Sequence, residues 1–142
     1  MGAKLRHIAF SVPDPEASAE FYISAFGMER VGETHNPIAD GVYLSDGTIN
    51  LALLRFRDDK PMGGDKTKDW FGLHHIGFWV DDTKTAQKHV EGLGAEYFLG
   101  ETPLEEGEEG GYFEVKYFDP DGNMFDLTHS GWVGAKKDGA GE

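Results

Sequence analysis

The 142 residues carry 13 basic and 26 acidic side chains, a formal charge of −13, with 39% apolar residues, 20 glycines and no cysteine. That charge excludes a general surface for nucleic-acid phosphates or anionic lipid, and the missing cysteine excludes disulfides, thiolate metal sites and thiol nucleophiles. Length and apolar content fit one folded domain and exclude general disorder or separate cofactor and substrate domains.

Neither an apolar leader at the start nor a run near the roughly 20 apolar residues of a membrane span is present, so a soluble, cytoplasmic protein is expected. Leu5–Val12 alternates as a strand, and Asp14 with Pro15 then reads as the cap and first position of a helix. This helix is expected over 15–26, with Ala17, Phe21 and Ala25 on its apolar face, Tyr22 and Phe26 flanking, and Gly27 stopping it. Three β segments follow, Met28–His35, Gly41–Leu44 and Thr48–Phe56, the last entered through an Asp46-Gly47 turn. Arg57–Gly72 has the Pro61 and Gly63-Gly64 of a linker, though its Trp70-Phe71 end is too aromatic to be wholly solvated.

The same order then recurs. Leu73-His74-His75-Ile76-Gly77-Phe78-Trp79-Val80 matches Leu5–Val12 at a constant offset of 68, with Leu, His, Ile, Phe and Val in register. Asp81 or Asp82 caps a second helix to about Glu91, with Ala86, Val90 and Leu93 apolar, followed by strands Ala95–Gly100, Tyr112–Phe118 and Met124–His129. Asp119-Pro120-Asp121-Gly122-Asn123 turns the chain into the last strand. The acidic stretch Glu101–Gly111 reads as a solvated insertion or a lid over a pocket, and Gly134–Glu142 as a frayed tail. The expected organisation is a single α+β domain over 1–133, made of a strand-helix-three-strand module at 4–56, a linker at 57–72 and a second module at 73–130.

Strand parity sorts the polar residues. Ile8, Phe10 and Val12 share one face and His7, Ala9 and Ser11 the other, as Ile76, Phe78 and Val80 oppose His75, Gly77 and Trp79. With the apolar rows under the helices, His7, Asn50, His75 and Asp126 fall on the opposite face, where small Ala9 and Gly77 leave room for a bound group. His74 has the opposite parity and reads as structural, while His35 and His89 read as surface residues and His129 as a site neighbour near its strand end. A lone carboxylate on an apolar strand is costly to bury, and two neutral imidazoles with it compose a site for a divalent ion, Fe(II) by preference, with Mn, Ni, Co or Zn as alternatives.

The paired strand starts Arg6–Phe10 and His74–Phe78, the Phe21-Tyr22 and Phe26-Gly27-Met28 helix end, and Phe118–Leu127 with its Asp-Pro-Asp-Gly-Asn turn resemble the vicinal oxygen chelate superfamily, the glyoxalase, bleomycin-resistance and extradiol dioxygenase group. The resemblance covers residues 4–130 and implies tandem βαβββ modules whose curved mixed sheets form a cleft, commonly in a homodimer. It implies metal binding by His7, His75 and Asp126, the last standing where Glu is usual, and it sets Asn50 where glyoxalase-like and epimerase-like members often carry Glu or Gln. An amide cannot serve as a base, so three ligands and Asn50 beside a substrate oxygen point first to dioxygenase-type chemistry on a small substrate with vicinal oxygens. Tyr117, Tyr43 and His129 are then the candidates for proton transfer. The alternatives are a glyoxalase-like lyase or epimerase, whose base would be Asp126 or a glutamate of the acidic loop, and a non-catalytic protein sequestering a cationic small molecule.

Overall fold

The computed structural model describes residues 2–100 and 114–138. Its first module runs β1 (Lys4–Ser11), α1 (Pro15–Phe26), β2 (Glu29–His35), β3 (Ala39–Ser45) and β4 (Asn50–Phe56). After a 3₁₀ turn at Lys60–Met62, the second runs β5 (Gly72–Trp79), α2 (Thr83–Gly92), β6 (Glu96–Gly100), β7 (Val115–Phe118) and β8 (Met124–Thr128). The acidic stretch 101–111 and the expected strand start at Tyr112 lie outside the described residues. Among the described residues no helix is long and apolar enough to cross a membrane.

The strands form one sheet in the order β2-β3-β4-β1-β5-β8-β7-β6. Within each module the first strand pairs parallel with the last, β1 with β4 and β5 with β8, because a helix-containing crossover separates them. At the centre β1 and β5 run antiparallel, so the modules join within one chain and His7 meets His75 there.

Helix α1 starts as its residues dictate, with Asp14 Oδ1 accepting from the N–H groups of Glu16 and Ala17, and it ends at Gly27 in the left-handed conformation. Its buried face differs from the expected one. Ala19, Tyr22 and Ile23, spaced i, i+3 and i+4, pack on Val42, Leu44, Leu51 and Leu53, while Phe21 and Phe26 are 60% and 70% exposed. The expected face of Ala17, Phe21 and Ala25 is exposed, and the row through Ala19 is the one that packs on β3 and β4. Under α2 the core is Val80, Ala86, Val115, Tyr117 and Leu127, and Leu93 stays outside it, 67% exposed.

Parity holds for the apolar rows, since Ile8, Phe10 and Val12 pack beneath α1 and Phe78 and Val80 beneath α2. It fails locally at two repeat-equivalent points. The β1–β5 register shifts between Leu5 and His7 and again where Ala9 pairs His75 and Phe10 pairs Leu73, so Arg6 and His74 are each the extra residue of an irregularity just before a site histidine. Arg6 uses this position to donate to the carbonyls of Lys136 and Lys137. Residues 134–138 are therefore tied down and not frayed, with Ser45 Oγ donating to Gly134 O and Lys136 N to Thr48 O as well. The linker is also partly internal, for Met62 is buried with Ala39 and Phe56 while Trp70 packs alongside.

Candidate metal centre

His7 from β1, His75 from β5 and Asp126 from β8 are all buried and meet at the middle of the sheet. His7 Nε2 and His75 Nε2 are 3.0 Å apart, and Asp126 Oδ2 lies 3.0 Å from His75 Nε2 and 3.9 Å from His7 Nε2. A cavity of 590 Å³ opens over them, bordered among others by Tyr43, Phe56, Lys60, Glu114 and Trp132.

The surrounding hydrogen bonds fix where the imidazole protons sit. Asn50 Nδ2 donates to Val133 O at 2.8 Å, so its Oδ1 faces His7 Nδ1 at 2.8 Å and must accept the His7 Nδ1–H. On the other side Pro61 O, 2.9 Å from His74 Nε2, can only accept, which leaves His74 Nδ1 to accept from His75 Nδ1–H at 2.7 Å. Burial holds all three imidazoles below their ordinary pKa, His74 at about 4, and therefore neutral. Each Nε2 of His7 and His75 then presents a lone pair, and these lone pairs face each other and the Asp126 Oδ2, which has no hydrogen-bond partner. Three buried acceptors converging without a proton between them repel, and a cation bound among them would relieve this. Donors 3.0 to 3.9 Å apart also suit one shell of bonds about 2.1 Å long.

The sequence reading missed the groups around this triad. Lys116 is buried, and its Nζ donates to Asp126 Oδ1 at 2.7 Å and lies 3.3 Å from Glu114 Oε1. Burial alone would lower its pKa, but the Asp126 and Glu114 carboxylates outweigh that and raise it, so the ammonium stays charged. Trp132 stacks on the His7 imidazole, centroids 4.6 Å apart and planes 4° from parallel, and donates its Nε1–H to Glu114 Oε2 at 2.9 Å. The space left by Gly77 therefore belongs to this indole and not to a ligand, since a Cβ there would sit 2.6 Å from the Trp132 ring. Lys116 was legible in principle, because counting back from the Asp119–Asn123 turn pairs Phe118 with Met124 and hence Lys116 with Asp126.

Asn50 is fully buried with both ends of its amide engaged by His7 and Val133, so it orients His7 and does not point at a substrate oxygen. Tyr117 is not brought to the triad. Its hydroxyl bonds Glu91 and Gln87 beneath α2, and burial together with Glu91 pushes its pKa up to about 12. His129 Nδ1 faces the Thr83 hydroxyl, also at α2. His74, expected to be structural, is instead the residue that sets the His75 tautomer, because the strand irregularity carries it to the cavity side against Phe56.

Residues 4–127 match the family model described as Glyoxalase/Bleomycin resistance protein/Dioxygenase superfamily. A protein of Cereibacter sphaeroides named ethylmalonyl-CoA/methylmalonyl-CoA epimerase is 31% identical over 100 residues, 67% of this chain and 74% of that one. Among solved structures, a methylmalonyl-CoA epimerase in complex with methylmalonyl-CoA and NH4+ superposes with TM-score 0.70 at 19% identity, covering 94% of this chain and 99% of the other. A variant of the Streptomyces coelicolor methylmalonyl-CoA epimerase in complex with 2-nitronate-propionyl-CoA gives TM-score 0.68 at 23% identity, covering 92% and 96%. At these identities the structures share the fold.

Proposed function

The chain belongs to the glyoxalase, bleomycin-resistance and dioxygenase superfamily, and from that premise we propose that it is a divalent-metal-dependent enzyme that moves a proton at a carbon next to a carbonyl, an epimerase or isomerase. The observation that carries the metal dependence is the convergence of three proton-free acceptors, His7 Nε2, His75 Nε2 and Asp126 Oδ2, with both imidazole tautomers locked from behind. His7, His75 and Asp126 are the proposed ligands. The bound ion supplies Lewis acidity, which polarises a substrate carbonyl and makes the neighbouring C–H acidic.

The remaining residues prepare that site. Asn50 and His74 hold the two imidazoles as acceptors, and Lys116 engages Asp126 Oδ1 while leaving its Oδ2 unused. The curated relative named for epimerisation supports proton transfer over the oxygenation that three ligands first suggested. A malonyl-type thioester, with carbonyl and carboxylate oxygens placed to chelate, is the proposed substrate class.

Elemental analysis of protein purified without chelator, wild type beside Asp126→Ala, tests the site, with near-stoichiometric metal expected only in the wild type. Methylmalonyl-CoA and ethylmalonyl-CoA in deuterated buffer under argon test the chemistry. Deuterium at the α-carbon without oxygen is expected, whereas turnover that requires oxygen restores the dioxygenase reading.

A further inference from the structure

The reaction proposed above needs a base, and the residues that would ordinarily be sought for it are occupied. Asp126 is fully buried with Oδ1 on Lys116 and Oδ2 in the triad, and Asn50 is an amide engaged at both ends. We propose that Glu114 is that base and that Tyr43 is the acid facing it across the cavity; this rests on the proton-transfer reading.

The sheet order places the pair. Tyr43 lies on β3, outside β4 on the β1 side of the triad, and Glu114 immediately precedes β7, outside β8 on the β5 side. A phenol and a carboxylate therefore stand on opposite flanks of the triad. Both line the cavity. Glu114 is aimed and not loose, because Trp132 Nε1–H holds Oε2 at 2.9 Å and Lys116 Nζ lies 3.3 Å from Oε1, while its side chain remains 36% exposed. Through the Trp132 stack this carboxylate is held on the His7 side of the triad. Burial and the Glu114 charge raise the Tyr43 pKa, so its hydroxyl keeps the proton it must deliver.

In the step, the C–H bond α to the carbonyl breaks, its proton passes to a Glu114 carboxylate oxygen, and the electron pair moves into the carbonyl. The Tyr43 O–H then breaks and its proton forms a new C–H bond on the opposite face. Water in the open cavity reprotonates the phenolate and takes the proton from Glu114, so the chain returns to its starting state with the carbon inverted.

The test compares metal-loaded wild type, Glu114→Gln and Tyr43→Phe with a single epimer of methylmalonyl-CoA in deuterated buffer. Deuterium incorporation is read by NMR, inversion by chiral chromatography, probe affinity by calorimetry and metal affinity by chelator competition. Glu114→Gln should lose about 100-fold or more in both incorporation and inversion, with metal and probe affinities within about threefold of wild type. Tyr43→Phe should keep incorporation into recovered substrate within about fivefold while inversion falls about tenfold or more. Wild-type exchange by Glu114→Gln, or loss of its metal, overturns the assignment of the base alone. Equal loss of incorporation and inversion in Tyr43→Phe overturns the assignment of the acid. A metal-loaded wild type that exchanges no deuterium overturns the proton-transfer reading, and this inference with it.

Discussion

Lys116→Met separates the charge balance of the site from its packing. The wild-type ammonium lies 2.7 Å from Asp126 Oδ1, with the lysine 9% and the aspartate 0% exposed, so methionine fills the space but leaves a buried carboxylate with no cation. Breaking one side of such a pair costs about 3–5 kcal/mol. At about 3–4 °C per kcal/mol for a domain of this size, the metal-free variant should melt about 10–20 °C below wild type. A divalent ion on Oδ2 neutralises the same carboxylate, so saturating metal should recover most of that loss, and by linkage the variant should bind metal more tightly than wild type. Thermal melts with chelator and with excess Mn(II) or Co(II), followed by circular dichroism, read both effects. An unchanged melting temperature without metal, or an equal fall with and without it, would refute the reasoning, because either result means that Lys116 and the proposed ion do not share Asp126.

The tautomer locks should act on metal and not on the fold: His74→Phe and Asn50→Ala are expected to weaken metal binding about 10- to 100-fold in a chelator competition, while far-ultraviolet spectra stay native. Gly77→Ala drives a Cβ to 2.6 Å from the Trp132 ring and 2.9 Å from His7 Cβ, and chemical denaturation should show a loss of about 1–3 kcal/mol. For pH, the folded-state pKa values of His7, His74 and His75 lie below the unfolded value of 6.5, so the folded protein binds fewer protons in this range. Their contribution to the metal-free protein is present above pH 6.5 and fades as pH falls, His74 accounting for about 3 kcal/mol lost by about pH 4. A denaturation midpoint that does not fall between pH 7 and about pH 4 would contradict this sign.

How much of this was legible in the sequence depends on how local the cause is. The offset of 68, the Asp14-Pro15 helix start and the Asp119–Asn123 turn are signals within a few residues, and they located the two modules and most elements. Strand parity, a property of the extended backbone, put His7, His75 and Asp126 on one face without knowledge of any neighbour. Where the backbone departs from ideal pleating, parity misled, as at His74, which an irregularity of the β1–β5 pairing turns towards the cavity. The face of α1 that packs runs through Ala19, Tyr22 and Ile23 and not through the expected Ala17, Phe21 and Ala25, because contacts with Val42, Leu44, Leu51 and Leu53 on distant strands select it. What only the tertiary structure decided are relations between distant segments: Pro61 of the linker locking His74, Trp132 beyond the last strand covering His7, Lys116 taking half of Asp126. Tyr117, one residue from Lys116, falls under α2 for the same reason that Lys116 reaches the triad, because neighbours on a strand point to opposite faces and the packed sheet alone assigns those faces to cavity and core.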